Sequence, residues 1–542
     1  MLGAVTLIAG CSGREGAGGT VVIGSGQDPK SLFPPTAETI QSREATDLMF
    51  DRLADRGAAL NTLGDSGFVP RLAQRWEWSR DSLRVTFHLD PRARWADGHA
   101  VSAQDVKFAF DVYADSATGA RERAALIAAV DSVSVGDSVT CTAWFHQRSP
   151  ERFDELVMTL VPLPAHLLRA LPHDSLATSA FSRRPVGNGP FALVAWEQEV
   201  RLEIAPSATY TGTRPAKNRV IWTFAPDAAT RFKQLASGEL DFLENLTVGD
   251  AATAAKQPDL RVVRLGSYGY NFIQFNLHDG ASSRAHPLFG DRALRRALTM
   301  ALDRRLLVHS VFDSLGRVGL GPFVRAQWAS DTTVAQIGFD RGAAMRTLDS
   351  LGWHAGRDGV RARNGRPLAF TLLVPTVSAP RLALSVLIQE QLRLAGVQVD
   401  IQKIDINAMT ARQKLHAFDA VMGGFNSSPS PSGVTQTWTA AAAATGGLNY
   451  GSYENKSFDA QVDSAGASGS VGTAKAHYKA ANQIIVDDAP AIWLYEPPTL
   501  AGANTRLELG TVRPDAWWMG IPAWTIAPGK QHPSVATPAK SP

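Results

Sequence analysis

Cysteine is nearly missing from this sequence. The chain of 542 residues holds two, Cys11 and Cys141. That is enough for one disulfide at most, and too few for a disulfide scaffold or a four-cysteine zinc site. A dominant charge is missing as well: 54 Lys and Arg stand against 51 Asp and Glu, a net +3, which gives no basis for a nucleic-acid partner. Long apolar runs are missing too. The longest covers residues 1–10, about half of the ~20 residues that a membrane span needs, so the chain does not read as a channel or an integral transporter. What is present is the composition of a folded chain, 44% hydrophobic and 19% charged, rather than of a disordered or collagen-like one. At roughly 100–200 residues per domain, two or three domains are expected.

Motifs that carry chemistry are also missing. There is no H-E-x-x-H, C-x-x-C or G-x-S-x-G, and hence no local signature of a zinc hydrolase, a redox pair or a nucleophile elbow. No phosphate-cradling G-x-x-x-x-G-K-[ST] occurs, and the one Gly-Lys pair, Gly529-Lys530, lies near the C-terminus. The chain is therefore not the ATPase of a transport system. The 12 His are scattered, and none pair at helical spacing. No metal and no cofactor are expected, and an extracytoplasmic hydrolase has no motif behind it.

The N-terminal MLGAVTLIAGC ends in Leu7, Ile8, Ala9, Gly10 and Cys11, an apolar-small-small-Cys run that resembles the bacterial lipobox. There the Cys thiol is lipidated and the peptide is cut just before it. Residues 1–11 are accordingly set apart from the fold as a processing signal, although no basic residue precedes the apolar stretch. The Gly-rich residues 12–20 read as a flexible linker. Residues 527–542 have the composition of a disordered tail. Cys141 sits in an alternating stretch and is expected to be a buried free thiol.

Between these ends the pattern is mixed α/β. Leu83, Val85, Phe87 and Leu89 alternate with polar residues as a half-buried strand. Ser102 then N-caps a helix with Asp105 three residues on, and Val106, Ala109, Phe110 and Tyr113 form its apolar face. The Pro and Gly residues of 185–190 place a boundary near 186. Strands are predicted at 191–196, 200–205 and 218–224, a helix from Asp227 to about Ala236, and one helix within 291–312. Residues 369–404 read as strand, helix, strand, with Gly396 closing the helix and a parallel pair implied.

The stretch 70–113 carries Pro70-x-Leu72-Ala73, Trp76-Glu77, Ser79, Asp81, Trp95, Asp97-Gly98 and Asp105-Val106. It resembles the signature of family 5 extracellular solute-binding proteins, the peptide and nickel receptors of ABC importers. Four further blocks follow in the family's order: Gly187-Asn188-Gly189-Pro190-Phe191, Ser237-Gly238-Glu239 with Asp241, Phe275-Asn276 with Asp291 to Arg304, and Asn449 to Asp459. The resemblance spans about residues 20–526. It implies a two-lobe periplasmic-binding-protein-like fold (type II, with an extra subdomain) that closes on a hinge. Lobe I would comprise 20–45, 187–265 and 490–526, its extra subdomain 46–186, and lobe II 266–489.

The same resemblance implies the function: capture of a peptide or peptide-like solute outside the cytoplasmic membrane and delivery to ABC permease and ATPase subunits. A lipid at Cys11 would be the sole membrane attachment. A nickel chelate, a sugar or an opine-like compound is the same-fold alternative for the solute, and a sensor is the alternative to a transporter. Positions that align with ligand contacts are Glu38, Thr39 and Ile40 after the first strand, then Phe425, Asn426, Ser427 and Ser428, with Trp438 near the cleft or in the core. Peptide-binding members often carry an Asp soon after the aromatic to pair with the peptide α-amine. Ser427 and Ser428 stand nearest that position here, so this segment offers a free ammonium no partner.

Overall fold

The computed structural model describes residues 19–216, 219–280, 282–444 and 446–527. Cys11, the lipobox, most of the linker and nearly all of the C-terminal tail lie outside them. No helix among the described residues is long and apolar enough to cross a membrane.

Three segments far apart in sequence build the first large sheet. Strand Thr20–Ser25 pairs in parallel with Arg219–Phe224 on one side and with Phe242–Leu243 on the other. Arg201–Pro206 and Phe191–Glu197 extend it, and Thr499–Asn504 lies between Phe242–Leu243 and Leu260–Leu265. The helix expected after Asp227 runs Ala228–Ser237, with Asp227 accepting from the Thr230 N–H and Gly238 left-handed at its end.

A four-stranded antiparallel sheet from Ala73–Trp78, Arg84–Leu89, Thr140–Phe145 and Val130–Val135 forms the extra subdomain. Its helix Ala103–Ala114 starts in a capping box: the Asp105 carboxylate accepts from the Ser102 N–H at 2.8 Å and from its hydroxyl at 3.1 Å. The face Val106, Ala109, Phe110 and Tyr113 is buried, as the spacing requires. Asp105 also accepts from the Ala165 N–H at 2.9 Å and so ties two helices together. One continuous apolar core joins this sheet to the first, because helix Ile40–Met49 and the turn at 187–189 lie between them. A Cβ on Gly187 would fall 1.9 Å from the Met49 carbonyl. The Gly187-Asn188-Gly189 block is thus a packing contact, with Asn188 accepting from the Asp51 N–H at 2.9 Å. Cys141 is buried, and burial pushes its thiol up to about 12.

The second large sheet has six strands, ordered Arg317–Val318, Ala491–Glu496, Gly269–Phe275, Ala420–Asn426, Ala369–Pro375 and Gln398–Ile404. The last two pair in parallel across helix Ala379–Arg393. Two expectations need correction here. The expected lobe I span 490–526 takes in residues 491–496, but this fully buried strand belongs to the second sheet. The chain crosses back only at Pro497-Pro498, where proline cannot donate to a ladder. The single helix within 291–312 is two, Arg292–Met300 and Arg304–Phe312. Asp303 accepts from the Leu306 N–H at 3.0 Å and caps the second. The break turns the Arg304 guanidinium inward onto the carbonyls of Trp493 and Ile337.

The lobes are connected at 266–268 and at 497–498, and they also touch across the gap. Leu63 packs into an aromatic cluster of the second lobe. The Trp328 Nε1–H donates to the Thr62 hydroxyl at 3.1 Å, and the Ser430 hydroxyl donates to Glu151.

Candidate ligand-binding cleft

Between the lobes lies a cavity of about 590 Å³, within the size of small-molecule and cofactor sites. Both lobes contribute walls. Helix Ile40–Met49 presents Arg43, Thr46 and Asp47, with Phe50 beyond its end, spaced i, i+3, i+4 and i+7 on one face. The helix is set by the Thr39 hydroxyl, which accepts from the Ser42 N–H at 3.2 Å. The subdomain adds Glu151, Asp154 and Glu155 from its helix Arg152–Thr159 and the residue before it. The second lobe adds Ser427, Ser428 and Ser430, and the C-terminal segment adds Arg513 and Asp515. The Gln327 amide donates to the carbonyls of Ser428 and Ser430, at 3.0 and 3.1 Å, and holds that loop in place.

Charge dominates the lining. Asp154 receives Arg56 through two bonds, at 2.5 and 2.7 Å. Arg56 reaches Asp515 at 3.5 Å, and Arg513 joins Asp515 to Asp55, each at 2.8 Å. Burial works against the charge of Asp154, Asp55, Arg56 and Arg513 alike. It lifts the Asp154 carboxyl above its ordinary range against the pull of Arg56. At Asp55, burial is outweighed by Arg513 together with Arg52 and Arg71, which hold the carboxyl below that range. The guanidinium of Arg513 is held above its own despite burial, through bonds to Asp515 and Asp55. The other pairs are Arg52 with Asp47, Arg121 with Glu122, and Arg152 with Glu155, each at 2.7 Å.

Two charges remain over. Of the seven carboxylates lining the cavity, Glu151 alone has no ion pair among the described residues. It accepts only from the hydroxyls of Thr62, at 2.8 Å, and Ser430. Of the five lining arginines, Arg43 alone has neither an ion pair nor a side-chain hydrogen bond there, and its Nε is buried without a partner. Burial and the neighbouring Arg121 lower its guanidinium. The Tyr268 hydroxyl, in the first crossing between the lobes, is likewise buried and unpartnered. An unpaired buried polar group is costly. Two such groups, together with a carboxylate that has no ion pair, face one cavity and make it suited to a ligand carrying both signs of charge.

The structure distributes the aligned positions unevenly. Ser427 and Ser428 line the cavity. Glu38 and Ile40 are exposed and Thr39 is the helix cap, and the cavity is instead met by Pro34, Pro35 and Ala37 of the same segment. Phe425 packs against Tyr270 and Phe272 behind the wall. Asn426 is exposed at the end of its strand. Trp438 is 0% exposed, with its Nε1–H bonded to the Tyr270 hydroxyl at 2.9 Å, and is a core residue. Sequence reasoning missed Arg43, Asp47, Arg56, Glu151, Asp154, Arg513 and Asp515. The stripe Arg43, Thr46, Asp47 was a usable signal. Glu151 gave none, because Thr62 and Ser430 are distant in sequence, and the neighbouring Asp515 of Arg513 did not point to Asp55, its partner in the other segment.

Comparison with known proteins places this cleft in a family. The model of the bacterial extracellular solute-binding proteins, family 5 (middle) matches residues 67–446. The oligopeptide-binding protein AppA of Bacillus subtilis is 25% identical over 523 residues, covering 95% of this chain and 93% of its own. Protein XP55 of Streptomyces lividans is 27% identical over 483 residues, covering 88% and 83%. Among solved structures, HbpA2 from Haemophilus parasuis superposes with a TM-score of 0.79 at 21% identity, covering 92% of this chain and 98% of its own. NikZ from Campylobacter jejuni in complex with Ni(L-His) superposes at 0.69 and 20%, covering 93% and 99%. At these identities the structural likeness is one of fold: two lobes around a cleft.

Proposed function

The chain belongs to the bacterial extracellular solute-binding proteins of family 5, and from that premise we propose that it captures a short zwitterionic peptide for an ABC importer. One observation carries the reading: among the described residues, Glu151 and Arg43 are the anion and the cation of the interlobe cavity without an ion pair. A peptide brings an α-ammonium and an α-carboxylate, one for each. Ser427 and Ser428 leave their segment without an acid, and Glu151, whose carboxylate meets Ser430 of the same loop, takes over that role. Main-chain groups would be read by hydrogen bonds that suit any side chain.

Binding and closure are the whole of the action, and no bond of the solute is broken. A ligand that touches both lobes only when they are closed shifts the population toward closure, and the closed form docks on the permease. The likeness of the curated relative AppA, named oligopeptide-binding, supports this choice of solute. The residues 7–11 support a lipid on Cys11 as the anchor outside the cytoplasmic membrane. Labelled fatty acid should enter the native chain and not Cys11→Ser, and the variant should leave the membrane fraction.

The test of the solute is mass spectrometry of the untreated protein under native conditions, followed by titration with whatever it releases. Peptides are expected. A nickel chelate or a sugar would move the assignment to the non-peptide reading, which the missing acid at Ser427-Ser428 favours.

A further inference from the structure

Outside the cleft, one cluster brings together metal-ligating side chains that are distant in sequence. Asp97 and His99 sit in one turn of the extra subdomain, and His166 sits on helix Ala165–Leu168. One ligand atom from each lies within 4.8 Å of the other two. The His166 Nε2 is 2.7 Å from Asp97 Oδ2 and the His99 Nδ1 is 3.3 Å from Asp97 Oδ1, so each imidazole directs a nitrogen at a different oxygen of one carboxylate. The two rings stack with centroids 4.2 Å apart. We propose that Asp97, His99 and His166 form a binding site for a borderline divalent transition cation such as Zn²⁺ or Ni²⁺.

The donor set suits that class. Two imidazole nitrogens and one carboxylate oxygen select Zn²⁺, Ni²⁺ or Cu²⁺ over Mg²⁺ or Ca²⁺, which prefer oxygen throughout. With metal–ligand bonds of about 2.0–2.1 Å, neighbouring donors of a tetrahedral site stand roughly 3.4 Å apart; the His99–Asp97 pair is at 3.3 Å, and the His166–Asp97 pair, at 2.7 Å, would open on binding. Two neutral imidazoles and one carboxylate leave a single negative charge for the dication. Three protein ligands at the surface leave further coordination positions for solvent or for a donor from another molecule, as in open zinc sites.

The backbone behind the ligands is fixed. The turn is closed by the Trp95 N–H on the His99 carbonyl at 2.8 Å and the Gly98 N–H on the Trp95 carbonyl at 2.9 Å. Gly98 has φ +92° there, a conformation that residues with a side chain rarely adopt. The His99 N–H also bonds Asp97 Oδ1 at 3.1 Å. On the other side, Asp105 holds the Ala165 N–H, and the buried ring of Trp95 lies 6.4 Å from that of His166. Pre-set ligands of this kind lower the ordering cost of binding.

The experiment is calorimetric titration of the untagged full chain, cleared of metal by chelator, with ZnCl₂ and separately with NiCl₂. One equivalent should bind. His99→Ala and His166→Ala should each weaken it by at least about tenfold, with folding checked by thermal melting, while His354→Ala, at an exposed His elsewhere, leaves it unchanged. Cobalt(II) at the same site should give a visible absorption that zinc displaces. The proposal is overturned if no saturable binding occurs, or if it persists unchanged in the His99→Ala, His166→Ala double variant. Neither result bears on the solute cleft, which shares none of these residues.

Discussion

Glu151→Gln removes a charge from the cleft and keeps its hydrogen-bond acceptor. The hydroxyls of Thr62 and Ser430 both meet Oε1, and a glutamine Oε1 can accept both. The bridge between the lobes therefore survives while the anion is lost. Truncating one partner of a buried, hydrogen-bonded charge pair costs about 2–5 kcal/mol. At about 3 kcal/mol, a free-amine peptide should bind Glu151→Gln roughly a hundredfold more weakly than wild type. Acetylating the same peptide should weaken wild-type binding by a similar factor, because the carboxylate is then left without its cation. Glu151→Gln should bind both forms within a few-fold. Glu151→Ala loses the bridge as well. A hydrogen bond to a charged group is worth about 1.5–3 kcal/mol, so that variant should also show a larger radius by X-ray scattering without ligand. Calorimetry of one peptide in both forms against the three proteins decides the matter. If wild type binds the acetylated peptide as well as the free one and Glu151→Gln loses nothing, Glu151 is a latch alone, and the absent acid at Ser427-Ser428 describes the cleft correctly.

Three further outcomes follow from the structure. Asp105→Ala removes a cap, worth about 0.5–2 kcal/mol, and strands the Ala165 N–H at about 1–3 kcal/mol, so the denaturant midpoint should fall by the equivalent of about 3 kcal/mol. Glu44 is buried, its Oε2 accepts from the Trp222 Nε1–H at 3.0 Å, and burial together with the Glu244 carboxylate raises its carboxyl well above the ordinary range. The folded state therefore holds that proton more tightly than the unfolded chain, and the stability it contributes is lost as pH rises above the unfolded value. Glu44→Gln, a neutral mimic, should be the more stable protein at pH 8, by a margin that shrinks toward pH 5; a margin constant with pH would refute the shift. The Cys141 thiol, pushed up to about 12 by burial, should resist a thiol reagent at pH 8 in the folded protein and react at once in denaturant.

The sequence displayed local order well and long-range order poorly. The capping box at Ser102 and Asp105, the strand–helix–strand unit at 369–404 and the glycine stop at Gly238 all depend on neighbours within a few residues. Each formed with its expected partners. The errors lie where a tertiary contact decides. Ala491–Glu496 continues into the second sheet because Gly269–Phe275 is there to pair with it. The segment 291–312 breaks because Arg304 is drawn toward carbonyls of residues 337 and 493. The cleft repeats the lesson. Family resemblance points to its segments, yet its two unpaired charges are defined by subtraction. Glu151 and Arg43 stand out only once every other lining charge has found a partner, and those partners come from as far along the chain as Arg513 and Asp515.

The strand Thr499–Asn504 fills a gap between two strands made more than two hundred residues earlier in the chain. Until it is synthesised, Phe242–Leu243 and Leu260–Leu265 have no common neighbour, and the first lobe exposes unpaired edges on both sides of the gap. The second sheet, by contrast, draws its strands from one stretch, 269–496. The lobe inserted in the middle can mature while the lobe that encloses it waits for its last strand, and pairings of such sequence separation close slowly. A nascent chain of this order stays open until nearly all of it has emerged, and a loss of the residues from 499 onward would leave one lobe intact beside another held permanently ajar.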